Sequence, residues 1–149
     1  IAIADVETGC HLQLRQRTHK WLDAIAIGID EVERLDEASN GIQLWYLSFK
    51  DLVSPKFKSN AKECHIDKLG FVLYYTNQFL FNAKYVPVIE NVSKDLNIAF
   101  KAFHLDTKEK AQNAPTPITI YALFYNGKYV TNDVMNEKKF IKLLSNLGL

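Results

Sequence analysis

From Gly70 onward the apolar and polar positions fall into blocks whose period changes from one block to the next. Phe71-Val72-Leu73-Tyr74-Tyr75 is a continuous apolar run and predicts a buried strand. Thr76-Asn77-Gln78 breaks it as a loop. Helical spacing then takes over, with Tyr85, Val88, Ile89, Val92 and Leu96 on one side of a helix expected from Phe81 to Asn97. Pro87 stands inside that helix, where it predicts a kink or a second start. Ala99 to Leu105 alternates with a period of two and predicts a strand. Asp106 or Thr107 caps a short helix over Lys108–Gln112. Pro115 and Pro117 bound a loop, and Ile118–Tyr125 returns as a strand. Asn126-Gly127 is a hairpin turn into Lys128-Tyr129-Val130. Asn136 caps a last helix, Glu137–Leu147, expected to point Phe140, Ile141 and Leu144 at the core.

Upstream the pattern is sparser. Thr18 to Ile25 predicts a short helix with Trp21, Leu22 and Ile25 on one face, ended by Gly28. Asp30 to Leu35 predicts a strand with Val32 inward. Asn40-Gly41 marks a turn, and Ile42 to Phe49 is an aromatic-rich strand. Ser54 to Asn60 is polar, contains Pro55 and carries several lysines, the signature of a connecting segment. Three zones result: 1–50, a linker over 51–69, and 70–149.

The third zone reads β-α-β-α-β-β-α. A right-handed crossover makes its first two strands parallel, and the last two form a hairpin. The expected fold is therefore α/β (α+β): a mixed four-stranded sheet with flanking helices, which resembles the thioredoxin-like topology. Composition agrees with a packed domain, at 48% hydrophobic and 23% charged residues. Eighteen Lys and Arg against 17 Asp and Glu leave a formal charge of +1. A polyanion binder would carry a basic excess, so nucleic acid is not the expected partner. Cys10 and Cys64 are too few and too far apart for a disulfide-stapled scaffold. Apolar runs are as short as Tyr121–Tyr125, and no basic-then-apolar leader is read at the start, so a cytoplasmic protein without a membrane partner is expected. Ile1 opens the chain in place of Met, which points to a fragment, a processed product or an incompletely known sequence.

In a thioredoxin-like fold the chemistry sits in the loop after the first strand, where a cysteine at a helix N-terminus becomes a thiolate. A cis-proline before the third strand packs against it. Here that loop is Thr76-Asn77-Gln78-Phe79-Leu80-Phe81 and has no sulfur. Pro117 is the cis-proline candidate, with Pro115 as the alternative. Phe79, Leu80 and Phe81 are either core or an apolar patch beside the proline loop. Asn77, Gln78, Phe79, Phe81, Pro115 and Pro117 are the candidate binding residues, and no catalytic or metal-ligating residue is assigned.

Four strings carry a more specific likeness: Gly70 to Gln78, Ala83-Lys84-Tyr85-Val86-Pro87, Ala111 to Pro115, and Leu123 to Lys128. Together they resemble the YoaP-like domain over roughly residues 65 to 145. In that family the domain follows a GNAT-type N-acetyltransferase domain on the same chain, a bacterial-type arrangement. The family pattern has Cys-Pro-Phe where this chain has Phe79-Leu80-Phe81, which removes the expected nucleophile. Lys20 to Ile25, the strand near Val32 and Ile42 to Phe49 resemble the last helix and strands of a GNAT fold. The resemblance implies acetyl-CoA as cofactor of a full-length relative. An acetyl-CoA loop of the Arg/Gln-x-x-Gly-x-Gly/Ala type is not found in these residues, so no cofactor is expected on this chain alone. The implied partners are an upstream acetyltransferase domain or a small-molecule or peptide substrate, with a homo-oligomer as a further possibility. A stand-alone peptide-binding module is the alternative reading.

Other constellations carry less. Cys10-His11 and Cys64-His65 repeat a dipeptide that could supply zinc ligands, but adjacent residues rarely ligate one ion. Cys64 lies before the first strand of the module, with nothing in the sequence to lower its pKa. His104 reads as an edge or surface histidine. Tyr74, Tyr75, Tyr121 and Tyr125 read as strand residues divided between core and surface.

Overall fold

The structure, a computed structural model, describes residues 11–16, 32–47 and 56–149. The helix expected over 18–25, Gly28 and Cys10 lie outside them. The chain divides into two compact units: Ile1–Cys64 with Pro115–Pro117, and His65–Ala114 with Ile118–Leu149.

The first unit holds a three-stranded antiparallel sheet of β1 (His11–Gln16), β2 (Val32–Glu37) and β3 (Ile42–Leu47) in the order β1-β3-β2. β2 and β3 are the expected strands. Gly41 turns between them at φ +81°, where glycine pays no Cβ penalty. The Ile42 N–H meets Asn40 Oδ1 at 3.3 Å. β1 was not expected, although Leu12 and Leu14 alternate with polar neighbours. Its register with β3 pairs Leu14 with Leu44.

The stretch read as a linker contains a short helix, α1 (Ser59–Glu63). The Ser39 N–H bonds to the Lys62 carbonyl at 2.8 Å, Ser39 Oγ donates to the Glu63 carbonyl, and Lys62 pairs with Asp36. These contacts tie α1 to the β2–β3 turn.

The second unit is a mixed four-stranded sheet of β4 (Phe71–Tyr75), β5 (Phe100–His104), β6 (Tyr121–Tyr125) and β7 (Lys128–Thr131), ordered β5-β4-β6-β7. β4 and β5 are parallel; the other pairs are antiparallel. The helices are α2 (Leu80–Asp95), α3 (Lys108–Gln112) and α4 (Glu137–Leu147). Period-two alternation sorts the strands onto two faces. Phe71, Leu73, Tyr121 and Leu123 form one core with Val86 and Ile89 of α2 and Phe140 and Leu144 of α4. The opposite face carries Val72, Ala122 and Phe124 with Ile66, ringed by Tyr74, Phe103 and Tyr129.

Both expected caps form: Thr107 Oγ1 accepts from the Lys110 N–H at 3.2 Å, and Asn136 Oδ1 from the Lys139 N–H at 2.9 Å. The hairpin turn forms at Asn126-Gly127, with φ +46° and +85°. Just before β4, His65 bridges to Lys128 and the Ile66 N–H bonds to the Gly127 carbonyl at 3.0 Å.

Several expectations are corrected. α2 runs unbroken through Pro87, with no second start. Ala83 and Pro87 are both exposed, so the carbonyl that loses its donor lies on the wet side. The buried stripe of α2 is Asn82, Val86, Ile89 and Ser93, and Leu96 is 53% exposed. β6 begins at Tyr121 and not at Ile118; just before it, the Ile120 carbonyl accepts from the Thr76 N–H and from the Asn82 side chain. Ile141 is 44% exposed; Leu143 packs against the core beside Phe140 and Leu144. Every peptide bond among the described residues is trans, including that of Pro117. Among the described residues no helix is long and apolar enough to cross a membrane.

Candidate functional site at the amino end of helix α2

β4 delivers the chain to the carboxyl end of the sheet, where Thr76 leaves the ladder and Asn77-Gln78 turn outward. Asn82 fixes this loop from below. Its Nδ2 donates to the Thr76 carbonyl at 2.8 Å and to the Ile120 carbonyl at 2.7 Å, joining the end of β4, the approach to β6 and the first turn of α2. The side chain is fully buried. A polar residue is tolerated there because both amide hydrogens are satisfied. Asn82 Oδ1 and Thr76 Oγ1 are buried with no hydrogen-bond partner among the described residues.

Phe79 is the N-cap residue of α2, with extended backbone and no side-chain cap. The first turn holds no acidic residue. The free N–H groups and the positive end of the helix dipole are therefore left without a side-chain anion. The apolar patch, and not core packing, is the observed state of the three residues: Phe79 is 41%, Leu80 86% and Phe81 50% exposed. The Phe79 and Phe81 rings lie 5.3 Å apart, and Phe81 stacks on Tyr85 at 6.0 Å. Ile120, whose carbonyl Asn82 holds, is also exposed.

The structure thus brings Asn77, Gln78 and Phe79 on the β4–α2 loop next to Phe81 in the first turn of α2. Pro115 and Pro117 belong to the first unit, and Pro117 is buried. Thr116 between them is buried beside Cys64. Burial pushes the Cys64 thiol up from its ordinary value, and hydrogen bonds to the Asn40 backbone, Ser39 and Thr116 offset this only in part. The thiol itself donates to the Ala61 carbonyl at 3.1 Å. A buried, protonated sulfur beside the proline segment is a poor nucleophile. Asn82, Tyr85 and Ile120 are not among the candidate binding residues the sequence supplies; Tyr85 reads there only as part of the apolar helix face. A polar residue inside an otherwise apolar helical stripe was the available signal for Asn82.

His104 ends the edge strand β5, as expected of an edge histidine, and its half-buried ring stacks on Tyr75 at 5.0 Å. Tyr121 is fully buried, while Tyr74, Tyr75 and Tyr125 are half-buried. Among the described residues no group of three or more His, Cys, Asp or Glu side chains could hold a metal ion.

Comparison with known proteins places this chain beside one family. The YoaP-like family profile matches residues 99–142. The chain is 34% identical over 114 residues to the "Uncharacterized N-acetyltransferase YoaP" of Bacillus subtilis (strain 168), a match that covers 76% of this chain. It spans 45% of the length of that relative. No solved structure matches.

Proposed function

We propose that this chain is the C-terminal part of a GNAT-type N-acetyltransferase, in which the second unit is a thioredoxin-like module that binds and does not react. The relative's name, an uncharacterized N-acetyltransferase, supports the transferase reading. The sheet order β5-β4-β6-β7 with its parallel β4–β5 pair supports the thioredoxin-like one. Residues 1–50 would then be the tail of the acetyltransferase domain, joined through 51–69 to the module at 70–149. Acetyl transfer in such an enzyme is direct attack of an amine on the thioester, through a tetrahedral transition state.

One observation carries the binding role: the N-cap of α2 is an exposed phenylalanine within an aromatic patch. A thiol there would be activated by the helix; a phenyl ring offers only contact area and shape. An extended peptide or an amine-bearing substrate with an apolar body fits a surface of this kind, with Asn77 and Gln78 at its rim.

The test uses the polypeptide encoded by the whole reading frame, assayed for release of CoA with a panel of amines and peptides. Phe81→Ser in the exposed patch is expected to raise KM for the acceptor severalfold and leave kcat unchanged, the signature of lost uniform binding. A reading frame that encodes no acetyl-CoA loop overturns the transferase reading. An unchanged KM overturns the role of the patch.

A further inference from the structure

The second face of the four-stranded sheet has an unusual covering. Among the described residues its apolar cluster contains none from any helix, whereas the first face is closed by α2 and α4. Tyr74 of β4 and Phe103 of β5 are directly paired in register at the carboxyl end of the parallel strands. Their half-buried rings stack at 5.2 Å with 15° between planes. Lys68 Nζ stands 4.0 Å from the Phe103 centroid, and Lys101 Nζ 5.1 Å from it. Both lysines are exposed, and neither pairs with a carboxylate among the described residues. β5 is an edge strand, so Phe103 is approached from the side as well as from above.

We infer that this face binds a mononucleotide, with its base stacked on Phe103 and Tyr74 and its phosphate held by Lys68 and Lys101. The inference is independent of the α2 patch. Stacked rings select a planar partner, and two ammonium groups with no carboxylate partner among the described residues select a negative one. An exposed cation–π contact is weaker than base stacking on an aromatic ring, so a base displaces Lys68 from the Phe103 ring and from its 3.5 Å hydrogen bond to Tyr74 Oη, and turns its ammonium to the phosphate. A near-neutral chain disfavours a polyanion, but a single nucleotide needs no extended basic field.

The experiment is a heteronuclear NMR titration of the full chain at low salt with ATP, AMP, adenosine and inorganic phosphate. Amide shifts at Tyr74, Lys101 and Phe103 are expected with ATP and AMP, weaker ones with adenosine, and none with phosphate alone. Phe103→Ala is expected to lower ATP affinity about tenfold, the loss of one stacking platform. Lys101→Glu is expected to weaken ATP and to spare adenosine. ATP shifts confined to other residues overturn the proposal, as does unchanged affinity in both variants. A single-stranded oligonucleotide that binds more tightly than ATP overturns the mononucleotide assignment. The mapping on the unmodified chain decides the question even if a variant fails to fold.

Discussion

Phe79 occupies the one backbone position of α2 at which a side-chain anion would gain most from the helix. Phe79→Cys is therefore expected to yield a thiol that titrates below the ordinary cysteine value of about 8.5. The pH dependence of its alkylation rate measures this, and a midpoint at or above that value contradicts it. Native Cys64 is expected to resist the same reagent until the chain unfolds, because it is only 5% exposed. Asn82→Ala removes the donor to the Thr76 carbonyl and opens a cavity, at a cost of about 2 kcal/mol. Urea unfolding checks that figure.

At the scale of elements, adjacent positions differ sharply. Phe140 is fully buried and Ile141 is 44% exposed. Phe140→Ala is expected to cost about 3–5 kcal/mol, whereas Ile141→Lys should stay within about 0.5 kcal/mol of the parent. Gly127 at φ +85° has no room for a Cβ, which would stand 2.6 Å from the Ile66 carbonyl oxygen. Gly148 at φ +76° faces open space. Gly148→Ala pays only the left-handed penalty of about 1 kcal/mol, and Gly127→Ala is expected to cost more than that. Caps and turns were legible in the sequence because their chemistry is local: Thr107, Asn136, Asn40-Gly41 and Asn126-Gly127 each act within a few residues. The stripe of α2 was not, because buried Asn82 and Ser93 look polar and exposed Leu96 looks like core. Asn82 earns its place through Ile120, a partner distant in sequence that no local pattern reveals. Of the candidate site, the run of apolar residues Phe79-Leu80-Phe81 after the first strand of the module was readable; its exposure was not.

For the molecule as a whole, titration acts in both units. Burial and Lys62 act oppositely on Asp36, and the hydrogen bonds win, so its carboxyl lies below the usual range. Its contribution is present above the unfolded value of about 3.9 and is lost as the pH falls through the lower folded value. Cys64 in the first unit and Tyr121 in the second are both raised by burial. Their contributions are full below the unfolded values and vanish as the pH rises through the folded ones. Thermal unfolding is therefore expected to give its highest Tm between about pH 5 and 8. Cys64→Ala should flatten the decline that begins near pH 9, and an identical alkaline slope would contradict the assignment.

The bridge from His65 to Lys128 and the bond from Ile66 to Gly127 set where the module can be cut free. An excision that starts at Gly70 strips the hairpin of β6 and β7 of its outer clasp and uncovers Phe124. One that starts at His65 retains both, so the boundary for an isolated module falls several residues earlier than its first strand.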